Sequence, residues 1–163
     1  MDIDSLQKLV RYIVDIVLVA CLAITTSFFL ARQVRNNGYS MTPTINDKSL
    51  VLVNQFYGKI LPLKKNDIIV FYQNGVVNIK RVYGVPNDRV SIRNGNFYIN
   101  DIRQNDEFIK NSLSTNMEQD VHLDIDEYYV LGDNLDSSKD SRYQDVGNIK
   151  TSDIIGKVWR IMN

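Results

Sequence analysis

The chain has 163 residues, 19 of them basic and 19 acidic, so its formal net charge is zero. That length suits one domain, or one domain with an appendage. The charge balance argues against a protein built around nucleic-acid binding, which carries a basic surplus. With one Cys and one His, a disulfide framework and a zinc site of Cys/His clusters are both excluded. A Ser-His-Asp triad would have to draw on His122.

The N-terminal region reads as a membrane anchor. Ile16 to Ala31 (IVLVACLAITTSFFLA) carries no charge. As a helix this run rises roughly 24 Å, a little under a bilayer core of ~30 Å. Extending it back to Tyr12 gives a span of about 12–31 and takes in Asp15, which is tolerable near the end of a span. The run ends Phe28-Phe29-Leu30-Ala31-Arg32, a poor fit to the small residues at −3 and −1 that signal-sequence cleavage needs, so an uncleaved span is expected. Cys21 lies inside it as a small apolar filler. Lys8 and Arg11 before the run balance Arg32 and Arg35 after it, so charge does not decide orientation.

From Asn36 onward the pattern changes to short β-branched runs cut by turn signals. Residues 49–53 and 67–72 read as strands. Asn74-Gly75 then introduces 76–79, and Asn94-Gly95-Asn96 joins 90–92 to 97–99; both are hairpin signatures. Residues 121–126 alternate strictly, 128–131 and 156–161 are further runs, and 151–155 reads as a short helical turn. Residues 101–120 are polar and read as a surface loop. The expected fold is mainly β, an antiparallel sheet assembly or partly open barrel, with one N-terminal transmembrane helix. The domain boundaries are 1–35 for N-terminus and anchor and 36–163 for the β-rich domain. The alternation puts Val121, Leu123 and Ile125 inside and leaves His122 in water with Asp124 and Asp126. A His-based triad is therefore not expected.

Chemistry without histidine must come from three polar clusters. In Gly38-Tyr39-Ser40-Met41-Thr42-Pro43-Thr44, the proline restricts the backbone that follows Ser40. In Ile79-Lys80-Arg81-Val82-Tyr83-Gly84-Val85-Pro86-Asn87-Asp88, Lys80 and Arg81 face opposite sides of a strand, and the pattern leaves open which one points inward. A buried Lys loses its charge more readily and becomes a competent general base near neutral pH. Gly132-Asp133-Asn134-Leu135-Asp136-Ser137-Ser138-Lys139-Asp140-Ser141-Arg142 is dense in turn formers. It lacks the alternation of a calcium loop, so no metal site and no cofactor are expected.

Together these clusters resemble the signature boxes of type I signal peptidases, in the family's order, after an N-terminal membrane segment. Asp67-Ile68-Ile69-Val70-Phe71, Gly147 and Ile155-Gly156-Lys157 are similar to further boxes. The forty residues between Ser40 and Lys80 resemble the short, Gram-positive-type members. The resemblance implies a membrane-bound serine endopeptidase that removes signal peptides from exported preproteins at small-x-small sites. Ser40 would be the nucleophile and Lys80 the general base. Ser138 would orient the amine by a hydrogen bond. Asp140 would pair with Arg142, and Asp133 with Arg81, fixing the loop that carries Ser138. Met41 and Ile79, flanking the dyad, would wall a shallow apolar pocket for the residue before the cut. The implied partners are signal peptides and the lipid bilayer, and not nucleic acid. The implied topology is a cytoplasmic N-terminus and a catalytic domain outside the plasma membrane.

Some positions depart from the family pattern. Gly38 stands where some members carry a hydroxyl that completes the oxyanion hole. Leu135 replaces an Arg, Asn87 replaces a Gly, and Asn36-Asn37 form an unusually polar lead-in to the nucleophile. These departures keep in play a non-catalytic signal-peptidase-like assembly or chaperone factor, for example in pilus biogenesis. The self-cleaving repressor domains share the Ser-Met-x-Pro and a later Lys, but the apolar span stands in place of their DNA-binding part. A plain membrane-anchored β interaction domain would make the dyad coincidental.

Overall fold

The structure, a computed structural model, describes residues 3–106, 108–109 and 117–162. It divides into an N-terminal helical unit and a larger unit from Arg32 onward. The first is α1, Ile3–Leu30. Over Ile3–Thr26 this helix is long and apolar enough to cross a membrane. Its apolar side chains point outward on every side, Leu18, Val19 and Leu22 among them, as suits a helix whose solvent is not water. The helix begins well before the uncharged run: Asp4, Lys8, Arg11 and Asp15 all lie on it.

Eleven strands follow among the described residues: β1 Ala31–Arg35, β2 Leu50–Asn54, β3 Ile68–Gln73, β4 Val76–Gly84, β5 Arg89–Arg93, β6 Asn96–Ile99, β7 Ile102–Arg103, β8 Gln119–His122, β9 Glu127–Leu131, β10 Ile149–Lys150 and β11 Ile154–Met162. Seven form one sheet in the order β1-β2-β11-β3-β4-β9-β10, and four form a second in the order β7-β6-β5-β8. The paired strands run antiparallel.

Turn chemistry sets the local registers. Asn74-Gly75 (φ +51° and +81°) closes the β3–β4 hairpin, and Asn94-Gly95 (φ +50° and +71°) closes β5–β6. Two positive φ values are what a two-residue turn needs to match strand twist. A third such turn, Asn100-Asp101 (φ +52° and +63°), joins β6 to β7 without glycine. The polar stretch after residue 100 is thus partly strand, β7 at its start and β8 near its end. The alternating segment 121–126 is strand only to His122. Leu123 is buried, but Ile125 is 81% exposed. A turn closed by Glu127 N–H on Asp124 O at 3.1 Å carries Ile125 outward. His122 is exposed, as the alternation expects. The helical turn shrinks to a 3-10 turn, Thr151–Asp153.

Three apolar clusters hold the β unit. Met41, Ile45, Val51, Val53, Val70 and Ile79 form one, under the β1–β2 connection. Leu63, Ile69, Phe71, Val82, Tyr128, Val130, Ile149 and Ile154 form the second. Tyr83, Val90, Ile92, Phe97, Ile99, Leu123, Tyr129, Leu131 and Leu135 belong to the third, beneath the smaller sheet. Adjacent Val82 and Tyr83 face opposite sides of β4 and so enter different clusters, and a bulge between Val82 and Gly84 interrupts the pairing with β9. Gly84 fits there because a Cβ would lie 2.7 Å from Leu123 Cδ1 and 2.8 Å from Val90 Cγ2.

Candidate active site

Ser40 lies on the connection between β1 and β2, and Lys80 lies within β4. The two are joined by geometry: Lys80 Nζ stands 2.8 Å from Ser40 Oγ. Lys80 is 4% exposed. Its register partner is Ile69, while Ile79 pairs with Val70, so β4 sends Ile79 and Lys80 to opposite faces of the sheet. Burial pushes the Lys80 amine down to about 8. Asp140 opposes that shift, Arg142 adds to it, and Asp133 opposes it more weakly.

The choice left open between Lys80 and Arg81 resolves into two occupied sites. The Arg81 side chain is only 14% exposed. Its Nε donates to Asp133 Oδ1 at 2.8 Å and its Nη2 to Asp133 Oδ2 at 2.6 Å, a bidentate fork. Thr44 Oγ1 donates to the same carboxylate at 2.5 Å. This ties the Ser40 loop, β4 and the segment after β9 to one anion. The hydrogen bond with Asp133 raises the guanidinium further above its ordinary value.

The segment after β9 carries the second fork. Arg142 Nε donates to Asp140 Oδ1 at 2.7 Å and Nη2 to Asp140 Oδ2 at 3.1 Å. Their side chains are 4% and 0% exposed. Arg142 Nη2 also donates to Leu135 O at 2.7 Å and Ser138 O at 3.1 Å, and Asp140 Oδ2 accepts Gly132 N–H at 3.1 Å. The pair is therefore bound on most sides, as a buried ion pair must be. Asn134 N–H donates to Ser40 O at 3.0 Å. Gly132 has no room for a side chain: a Cβ would collide with Ser138 Oγ and with the Ser40 carbonyl. Ser138 is buried beside it, and among the described residues its Oγ has no hydrogen-bond partner. The bond from Ser138 to the amine is thus not made in this structure. Leu135, where the family pattern has an Arg, is buried in the third core cluster.

Met41 and Ile79 sit in the first core cluster at 0% and 4% exposure. They lie behind the dyad, packed against Ile45 and Val70, and Met41 presents no surface to solvent.

Four side chains that received no role from the sequence also shape the site. Thr44 and Asn134 brace the nucleophile loop from outside; Asn134 Nδ2 donates to Thr42 Oγ1 at 3.1 Å. Asn36 and Asp47 brace it from within. Asn36 Nδ2 donates to Gly38 O at 3.1 Å and Asn46 O at 2.9 Å. Gly38 N–H donates to Asp47 Oδ1 at 2.7 Å, which is the main cause of the lowered Asp47 pKa. The polarity of the Asn36-Asn37 lead-in was the one available signal. The rest depends on contacts between segments distant in the chain.

A hydroxyl held against a buried amine of lowered basicity, inside a β framework, has the layout of a serine hydrolase that works without histidine. Comparison with known proteins agrees. A family model described as "Signal peptidase, peptidase S26" matches residues 9–162. Signal peptidase IB of Staphylococcus aureus is 30% identical over 171 aligned positions, covering 93% of this chain and 88% of that protein. Signal peptidase I of Bacillus caldolyticus is 32% identical over 152, covering 85% and 82%. The crystal structure of a signal peptidase I from Enterococcus faecalis V583 superposes with a TM-score of 0.50 at 29% identity, covering 62% of this chain and all of that one.

The chain belongs to the signal peptidase family, peptidase S26, a family of serine peptidases. Its fold is signal-peptidase-like: antiparallel sheets preceded by one apolar helix.

Proposed function

We propose that this protein is a membrane-bound endopeptidase that removes signal peptides from exported preproteins at small-x-small sites. The observation that carries the reading is the 2.8 Å approach of Lys80 Nζ to Ser40 Oγ. It is supported by the near-complete burial of the amine.

In this reading Ser40 Oγ attacks the scissile carbonyl while neutral Lys80 takes its proton. The oxyanion that forms is met by the Ser40 N–H, which has no acceptor among the described residues. The protonated amine then gives its proton to the leaving nitrogen, and water hydrolyses the acyl-enzyme by the same exchange. Ser138 steadies the amine: its buried, unpartnered hydroxyl gains a partner when Lys80 shifts during proton transfer. The Asp140–Arg142 fork fixes the segment that carries Ser138, and Asp133, shared by Arg81 and Thr44, holds that segment against the Ser40 loop. Met41 and Ile79 shape the pocket for the residue before the cut from behind the dyad. The substrate lies as an extended strand, with alternate side chains directed inward.

The apolar helix is assigned as a single-pass anchor, with residues 1–35 comprising the cytoplasmic N-terminus and the span. Residues 36–163 are placed outside the plasma membrane, where the apolar segment of a signal peptide delivers its cleavage site.

The test is processing of a secretory precursor by the full chain in lipid. Wild type cuts after the small-x-small site. Ser40→Ala and Lys80→Met each reduce cutting by at least about 10⁴-fold while retaining the β-sheet circular dichroism of the wild type. Precursor bound but uncut by wild type would overturn the reading in favour of an assembly factor.

A further inference from the structure

Asn36 is a polar residue at 4% exposure on a connection between strands. A buried amide is costly unless its donors are used. Here they are spent on one loop. Asn36 Nδ2 reaches Gly38 O at 3.1 Å and Asn46 O at 2.9 Å, with Ile45 O at the edge of hydrogen-bond range at 3.5 Å. The main chain of the same residue is also bound: Asn36 N–H donates to Ser49 O at 2.8 Å, and Asn36 O accepts Lys48 N–H at 2.9 Å. One residue therefore clasps the start of the nucleophile loop to its end.

The consequence falls on the two peptide units before Ser40. The Gly38 unit is held at both ends, its N–H by Asp47 and its C=O by Asn36. Gly38 has φ +107°, a conformation open to glycine that side-chain-bearing residues avoid, and its hydrogen bonds select it from the many that glycine can adopt. The next carbonyl, Tyr39 O, accepts Thr42 Oγ1 at 2.6 Å. Both carbonyls that precede Ser40 are thus engaged by donors of the loop itself. Among the described residues the Ser40 N–H has no acceptor, and Ser40 O is taken by Asn134.

We infer that Asn36 is a positioning residue for the reaction: through Gly38 O it fixes the backbone that aims the Ser40 N–H at the developing oxyanion. It touches neither substrate nor the reacting atoms. This rests on the peptidase reading given above. An oxyanion donor acts mainly on the transition state, so its misplacement lowers kcat and leaves binding almost intact. A shift near 1 Å in a positioning group can cost about 100-fold.

The experiment uses the full chain in lipid with a secretory precursor, comparing wild type with Asn36→Asp and Asn36→Val. Asn36→Asp keeps the shape but replaces the donors with acceptors; Asn36→Val keeps much of the volume without them. Expected for both is a fall in kcat of about 10- to 100-fold, KM within about threefold, and an acid limb of the pH–rate profile that stays where wild type has it. Backbone amide exchange should speed up at Ile45 and Lys48 and stay unchanged in β3 and β4. Wild-type kcat in Asn36→Asp would overturn the inference. So would a rise in KM at constant kcat, which makes Asn36 a pocket wall, or a moved acid limb, which makes it act through Lys80. If wild type does not cut the precursor, the peptidase reading fails by itself. The exchange measurement then decides the clasp: unchanged protection at Ile45 and Lys48 in both variants overturns it.

Discussion

Both sheets of the β unit carry Arg–Asp pairs, and the two sets live in different solvents. On the smaller sheet, Arg89–Asp120 is 53% exposed on each side, and Arg93–Asp101 is 50% and 64% exposed. Beside the dyad, Arg142–Asp140 is 4% and 0% exposed, and Arg81–Asp133 is 14% and 0%. All four join an Arg to an Asp at 3.0 Å or less. Exposed pairs gain little, because water and salt screen them. Buried pairs must recover a large desolvation cost through further hydrogen bonds, and the two near Ser40 do so through Thr44, Gly132 N–H and the carbonyls of Leu135 and Ser138. A fold that needed only stability could fill that volume with apolar side chains. Buried charge is instead concentrated around one amine, Lys80.

The sharpest way to break this contrast is to remove one member of a buried pair. Asp140→Ala leaves the Arg142 guanidinium without its anion and Gly132 N–H without its acceptor. We expect a loss of about 3–5 kcal/mol, read as a lower urea midpoint with unchanged slope, and loss of processing. Retention of both would mean that the pair is ornamental.

Lys80 sharpens the contrast through pH. With its amine near 8, kcat/KM should rise about tenfold per pH unit below that value and level off above it. A profile flat from pH 6 to pH 10 would remove the amine as the base. Stability should respond in the same window. The unfolded chain binds a proton at Lys80 up to pH 10.5, the folded chain only up to about 8. Between these values the unfolded state holds more protons, so the folded state gains stability as pH rises. Below pH 8 the burial costs roughly 3 kcal/mol. Lys80→Met should therefore be more stable than wild type at pH 7, by an amount that shrinks between pH 8 and 10.5. A constant difference across that range would contradict the burial of a titrating amine.

The smallest effect belongs to the exposed pairs. Arg89→Ala should leave the urea midpoint and the processing rate within error of wild type. A clear loss of either would show that the smaller sheet is coupled to the site in a way its solvation does not suggest.

Much of this arrangement was legible in the sequence because it rests on local rules. Asn-Gly at residues 74–75 and 94–95 supplies two left-handed residues in a row, and a hairpin follows. The third hairpin carries no such signal, because Asn100-Asp101 adopts the same turn without glycine and β7 is only two residues long. The fate of Ile125 was hidden for a related reason: alternation persists in the sequence beyond the point where the Asp124–Glu127 turn ends the strand. Ser40, Lys80, Asp133, Asp140 and Arg142 lie in three polar clusters of the sequence, and the resemblance of those clusters to the family's boxes is what singled them out. Thr44 received no role and Asn36 showed only as part of a polar lead-in, since an Asn or Thr near a strand end is ordinary until its partners are known.

The amino-acid order alone determined the apolar helix, the strand content and two of the hairpins. These depend on period, turn propensity and residue type, which are properties of neighbours in the chain. Tertiary structure decided that Lys80 and Arg81 both leave water for different partners, that Ser138 lacks one among the described residues, and that Asn36 clasps the loop in front of Ser40. Each of these is a question of which polar groups meet across tens of residues, and burial raises the cost of a wrong answer far above anything the local sequence can express.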